Sequence, residues 1–309
     1  KIIVITVATS GLGLQTAKKI AKHSKEFHLV LPCRNKEKGE AIKQQLITDS
    51  GNPHIDMATL DTSSLKSVRT FVEEYKQRFN QPIYALLCNA GISGFGHAEK
   101  ELTDEGFDIV FATNHLGHFL LTMLLLQSNY LGHFLLTNLL LPYMEPHGKI
   151  IFTASDMHNP MLKEGETFEW LGTEAIARPD DDMAVNPLRY SYSKLCNVYF
   201  TYELARRLKE QNSTITVNAF NPGLMKTHLI KGGSNEEFFE FIRKQVPERY
   251  GDLNNSSSAL AELVYSDDII FSSGHFYDRS IRPCFTSELS YNKKNATELW
   301  KMSEKYCGL

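Results

Sequence analysis

Short apolar or β-branched runs recur along the chain, and longer stretches of helical spacing separate them. The runs at 2–6, 27–31, 55–60, 83–88, 149–154, 214–220 and 274–277 read as strands. Helical patterns begin near Gly13, Lys36, Ser64, Thr103, Tyr190, Glu236, Ser256 and Ala296. Strands alternating with helices of this length require crossover connections, which means a parallel sheet covered on both faces. The expected fold is therefore α/β, a doubly wound (Rossmann) parallel sheet of about seven strands. No low-complexity linker interrupts the pattern, so residues 1–309 read as one domain. Sheets of this kind bind ligands at the carboxyl ends of their strands, near the point where strand order reverses.

One stretch breaks the rhythm. "NHLGHFLLTMLLLQS" (114–128) is followed directly by "NYLGHFLLTNLLLPY" (129–143), and eleven of the fifteen positions match. No charged residue occurs from Ile109 to Met144. Length and apolarity alone would suit a membrane span. The polar interruptions at Asn114, His115, His118, Gln127, Ser128, Asn129 and His133 favour a helix buried against the sheet instead. Fifteen helical residues advance about 22 Å and finish about 60° out of phase, so both copies cannot fill one slot. The repeat reads as a local insertion.

Composition narrows the picture further. The chain is 42% hydrophobic and 22% charged, which is globular, and its net charge of −3 provides no basic field for nucleic acid. Five scattered cysteines without a CxxC pair argue against a disulfide framework and a zinc site, and point to a reducing, cytoplasmic setting. The chain opens on a strand without Met, which leaves room for a preceding anchor or leader.

Candidate chemistry lies at the strand ends. "VITVATSGLGLQ" joins the first strand to a helix through a glycine-containing turn. The N–H groups of such a turn and helix start hold a pyrophosphate, and glycine is needed where a ligand meets main chain. Gly11 and Gly13 supply that, with Thr6, Ser10 and Leu12 beside them. Arg34 and Lys38, after the second strand, suit a 2′-phosphate, so NADP(H) is the expected cofactor; a solvated basic helix start is the plainer alternative. Asp61 ends the third strand, where it can meet an adenine amino group or cap the next helix. Asn89, Ala90 and Gly91 form a tight turn after the fourth strand, and Ser155 ends the fifth. Pro222 and Gly223 follow the sixth, with Thr227 just beyond. Tyr190 and Lys194 stand four apart on one helix face, where an ammonium favours a phenolate and readies it for proton exchange with a carbonyl or alcohol oxygen. Tyr192 is the decoy, since its partner at i+4 is Cys196.

Taken in order, these motifs resemble the short-chain dehydrogenase/reductase family over essentially the whole chain. "TNHLGHFLLTMLLL", "YSKLCNVYFTYELARRL" and the ending "ATELWKMSEKYCGL" are most similar to its retinol-dehydrogenase and protochlorophyllide-reductase branch. The resemblance implies a catalytic Asn114, Ser155, Tyr190 and Lys194. Tyr190 would exchange the proton, Lys194 would bind the nicotinamide ribose, Ser155 would fix the substrate oxygen and the Asn would hold a relay water. It implies hydride transfer between NADP(H) and a lipophilic carbonyl or alcohol, with reduction of a tetrapyrrole double bond as the minor variant. It leaves room for a homo-oligomer.

Two departures qualify it. Val7 stands where the family nearly always has glycine, and its side chain would point toward the adenosine half of the cofactor. The repeat makes Asn129 a rival to Asn114, which keeps the fuller local motif "FATNHLGHF". Together they support a second reading, a catalytically impaired scaffold or sensor. Residues 224–251 carry Phe238, Phe239, Phe241 and Ile242 on a charged short helix after Gly232–Gly233, equally a mobile lid or a surface helix.

Overall fold

The structure, a computed structural model, describes residues 1–309 except 80, 94–98, 127–142, 163, 226–235, 268, 270 and 271, and the side chains of 236–238, 241 and 242. Eight strands form one sheet in the order β3-β2-β1-β4-β5-β6-β7-β8. They are β1 (Ile2–Ile5), β2 (His28–Cys33), β3 (Ile55–Thr59), β4 (Ile83–Cys88), β5 (Met144–Thr153), β6 (Thr216–Asn221), β7 (Phe276–Asp278) and β8 (Pro283–Cys284). All pairs are parallel except β7 with β8. The order reverses between β1 and β4, so a crevice opens at their carboxyl ends.

Strand alternation feeds two apolar layers. Ile2, Val4, Leu86, Ile150 and Phe152 face one layer, while Ile3, Ile5, Ala85, Leu87 and Ile151 face the other. The second layer is closed by α1 (Gly11–His23), α2 (Lys36–Ser50) and a later helix, Leu253–Tyr265, which packs on α1. The first is closed by α3 (Leu65–Arg78), α4 (Ile109–Leu126), α5 (Leu188–Glu210) and the last helix, Lys293–Cys307. A side chain on either face of such a sheet is removed from water, which is why the strands read as continuous apolar runs.

The α4 segment is long and apolar enough to cross a membrane, and 89% of it is buried inside the protein. Residues Ala112–Leu116 within it form a π turn. Gly117 lets it approach the loop after β3: a Cβ there would sit 1.9 Å from the Thr62 carbonyl oxygen. The first copy of the repeat thus begins inside α4, while most of the second, with Asn129, lies outside the described residues.

Some expected boundaries move. The helix expected near Thr103 starts at Ile109, because Gly106 has φ +79°, outside helical space, and Asp108 caps the N–H groups of Val110 and Phe111. The helix expected near Ser256 starts at Leu253, capped by Asp252. The eighth strand was not expected: its two residues are exposed and too few to show a period. The short helices Thr173–Ala177 and Asp181–Ala184 lie in the long Ser155–Tyr190 connection. Glu236–Gln245 is helical as expected, with Phe239 buried, while Gly232–Gly233 and the side chains of Phe238, Phe241 and Ile242 are outside the description.

Candidate active site

The crevice is organised around Thr6, fully buried at the end of β1. Its hydroxyl accepts the N–H groups of Asn89 (2.8 Å) and Ala90 (2.9 Å), so the turn after β4 is tied to β1. With both acceptor positions used, the hydroxyl proton is left for His118 Nε2 at 3.0 Å or the more distant Leu87 carbonyl at 3.4 Å. His118 Nδ1 in turn meets the Asn114 carbonyl at 3.3 Å. Asn89 returns the tie, donating from Nδ2 to the carbonyls of Thr6 and Val7 at 3.1 Å each.

That clasp explains Gly13. A Cβ there would lie 2.5 Å from the Val7 oxygen and 2.6 Å from Asn89 Nδ2, so any side chain would push the turn apart. Val7 has φ +54°, a left-handed backbone that a β-branched residue rarely adopts. Glycine is therefore favoured at position 7 by backbone conformation, a reason additional to the side-chain space argued from the sequence. Ser10 makes no side-chain cap, unlike Asn35 on α2 and Ser64 on α3. The first N–H groups of α1, at Gly11, Leu12 and Gly13 just after β1, are left without a side-chain cap from Ser10, a donor set suited to a pyrophosphate. On these observations the residues present fit a dinucleotide.

Farther along the crevice Asn114 is fully buried on the π turn of α4. Its amide accepts from the Ile92 N–H (2.8 Å) and donates to the Ile92 carbonyl and the Ser193 hydroxyl (2.9 Å each). Gly91 keeps this corner open: a Cβ there would meet Asn114 Oδ1 at 3.3 Å and Lys194 Nζ at 3.6 Å. Lys194 Nζ donates to the Thr153 carbonyl at 2.9 Å and lies 5.5 Å from the Tyr190 ring centroid. Burial lowers its ammonium to about 8.

Tyr190 is buried, with the Ser155 side chain near its phenol. Burial pushes that phenol up; the Ser155 hydroxyl pulls it back and the Asp156 carboxylate pushes it further up. The direction is opposite to the lowering expected from Lys194, because loss of water outweighs an ammonium that is turned toward Thr153. Ser155 Oγ also accepts the Met157 N–H (3.1 Å) and donates to Asp156 Oδ1 (3.2 Å). The Tyr192 hydroxyl donates to the Glu169 carbonyl, and its ring packs on Phe168.

The remaining expected residues lie at other strand ends. Arg34 and Lys38 are exposed after β2, and neither side chain has a hydrogen-bond partner among the described residues. Asp61, after β3, accepts the Ser63 N–H and hydroxyl, and the cap of α3 falls to Ser64. Pro222 and Gly223 follow β6, where the Pro222 carbonyl accepts from Ser256 (2.7 Å) and Gly223 has φ +76°. Thr227 lies outside the described residues. The sequence reading missed Thr153, Ser193 and His118. Thr153 acts through its carbonyl, which no side-chain pattern reveals. Only His118 left a signal, standing one turn after Asn114 on the same face.

Comparison with known proteins places the chain in a family and agrees with its fold. The profile of the family described as short chain dehydrogenase matches residues 1–128. Human retinol dehydrogenase 11 is 31% identical over 313 residues, covering 100% of this chain and 86% of that protein. The chloroplastic short-chain dehydrogenase TIC 32 B of Brassica napus is 32% identical over 228 residues, 74% of this chain and 65% of that one. Among solved structures, an uncharacterized protein from Mycobacterium Paratuberculosis superposes with a TM-score of 0.70 at 25% identity, over 100% of this chain and 93% of that chain.

Proposed function

This chain belongs to the short-chain dehydrogenase family, oxidoreductases that use nicotinamide cofactors on carbonyl or alcohol substrates, and on that premise we propose that it is an NADP(H)-dependent enzyme for a lipophilic carbonyl/alcohol pair. The carrying observation is Lys194 Nζ 5.5 Å from the Tyr190 ring centroid at the end of β5, where Ser155 follows, with Asn114 and Gly91 closing the corner.

A nicotinamide cofactor, which Gly11, Gly13, Arg34, Lys38 and Lys194 would hold, would supply or take up the hydride. The protein's own residues handle the proton. A phenol pushed up by burial stays protonated at neutral pH, so Tyr190 is an acid ready to give its proton to a carbonyl oxygen. Ser155 holds that oxygen beside it. Lys194, largely charged at pH 7 with its ammonium near 8, stabilises the phenolate left behind. In the direction of alcohol oxidation the same groups act in reverse. Asn114 fixes the Ile92 backbone and so shapes the wall beside Lys194.

Arg34 and Lys38 support a preference for NADP(H), since both are cations free to pair with a 2′-phosphate at the end of β2. A lipophilic substrate is supported by the name of the retinol dehydrogenase relative and by Phe285 and Met161, 94% and 61% exposed on the segments that follow β8 and Ser155.

Fluorescence titration with NADPH, followed by a screen of aldehydes, ketones and alcohols, tests the reading. Saturable micromolar binding and turnover, lost in Tyr190→Phe with binding retained, is the expected result. Absence of NADPH binding would favour the scaffold alternative raised by Val7 and the repeat.

A further inference from the structure

The partners of His158 dictate its protonation. Nδ1 lies 2.7 Å from the Ser155 carbonyl oxygen and must donate to it. Nε2 lies 3.2 Å from the Ser287 backbone nitrogen, whose N–H it must accept. Only the neutral ring with its proton on Nδ1 satisfies both. The other neutral tautomer satisfies neither, and an imidazolium forfeits the Ser287 bond. The ring is 5% exposed and packs on Phe276 of β7 at 5.1 Å between centroids.

The Ser287 bond spans 129 residues, and with the Ser155 bond it completes a circuit. Ser287 precedes the turn Glu288–Tyr291. Its neighbour Thr286 bonds through its hydroxyl to Tyr202 (2.8 Å) and to Ser290 (2.6 Å). The Leu289 carbonyl accepts from the Tyr199 hydroxyl (2.8 Å). Tyr199 and Tyr202 belong to α5, the helix that carries Tyr190 and Lys194. Segment 286–291 is thus fastened to α5 at two points, and His158 fastens the Ser155 turn to that same segment. Ser155 and the helix that carries Tyr190 are thus joined through His158.

We infer that His158 is a positioning residue, holding Ser155 at its working distance from Tyr190 by hooking the serine turn onto segment 286–291. This rests on the reading of Ser155 and Tyr190 as the proton-handling pair. The charged groups acting on the ring are Arg249 from the turn Pro247–Arg249 and Asp278 at the end of β7, with Arg279 paired to it. Burial, the largest influence, holds the imidazole below its ordinary range, so the two-bonded neutral form prevails at neutral pH.

The test uses the full chain with NADPH and any carbonyl substrate found by the screen. His158→Phe keeps the ring packing and removes both bonds; a 10- to 100-fold fall in kcat with unchanged cofactor affinity is expected. His158→Gln offers one donor and one acceptor, and should recover most of the lost rate. Wild-type kcat should show a limb on the acid side that the Gln variant lacks. Adding Tyr202→Phe to His158→Phe should cost less than it does alone, because both cut one circuit. Nitrogen-15 NMR of the wild-type imidazole should report the Nδ1–H tautomer. An active wild type with unchanged kcat in His158→Phe, or an Nε2–H ring, would overturn the inference alone. A wild type that binds NADPH but turns over nothing would overturn the catalytic reading, and this inference with it.

Discussion

Position 7 offers a measurement in which the usual order of two substitutions reverses. In ordinary strand or helix backbone, glycine is about 0.5–1 kcal/mol worse than alanine, because it has more freedom to lose on folding. Val7 has φ +54°, where a Cβ crowds the backbone at a cost of about 1–2 kcal/mol. Val7→Ala keeps that Cβ and its strain, while Val7→Gly removes both. Both variants lose the same half-buried methyl groups, so that contribution cancels in the comparison. Relief of about 1–2 kcal/mol against a glycine penalty of about 0.5–1 kcal/mol leaves Val7→Gly the more stable, by up to ~1.5 kcal/mol. Urea unfolding followed by tryptophan fluorescence resolves this, since with a slope of about 3 kcal/mol/M the midpoints differ by up to ~0.5 M. The same substitution should tighten NADPH binding several-fold, by opening the turn toward the ligand. An alanine variant at least as stable as the glycine variant would show that the Val7 backbone is not left-handed. Unchanged NADPH affinity would show that its side chain does not face the cofactor.

Other consequences are open to direct measurement. Gly13→Ala places a Cβ 2.5 Å from the Val7 carbonyl and should destabilise the protein by about 1–3 kcal/mol and weaken NADPH binding at least tenfold; calorimetry and titration check it. Arg34→Ala with Lys38→Ala should weaken NADPH binding by about 10- to 100-fold, from charge-assisted bonds of about 1.5–3 kcal/mol, while leaving NADH unaffected. His115 and His118 are lowered by burial to about 3 and about 4, below the ordinary value near 6.5, so the unfolded chain takes up protons first as pH falls. Stability is therefore whole above about pH 6.5 and is lost as pH falls through that value toward the folded values. The loss is on the order of 2–3 kcal/mol for each histidine by about pH 4.5, and His118→Gln should flatten its share of the slope in pH-dependent urea unfolding.

The sheet was legible because every internal strand is covered on both faces, so its apolar run is uninterrupted, as in "YALLC" of β4. The same physics hid β8, which has no buried face to pattern, and misplaced the start of α4, where Asp108 and Gly106 set the boundary rather than apolar spacing. Tyr190 and Lys194 were legible because one helix turn relates them whatever surrounds the helix. The direction of the phenol's shift was not legible, because it depends on how much water the fold removes and on whether Lys194 turns to Tyr190 or to Thr153.

Backbone groups account for most of what the sequence left unread in the site. Thr153 holds Lys194 through a carbonyl, Ile92 holds Asn114 through its N–H and carbonyl, and Ser155 and Ser287 hold His158 through main chain alone. Such partners carry no residue signature, since any amino acid except proline at the donors presents the same atoms. Side chains that face them do carry one: Asn114, His118 and His158 each combine a donor with an acceptor and are buried where a purely apolar residue would pack at less desolvation cost. A polar side chain with both functions, set within an apolar run such as "NHLGHFLL" or just past a strand end such as "TASDMH", is therefore the feature from which a main-chain contact can be inferred. His158 is the sharpest case, because the order of its two bonds leaves only one tautomer able to make them.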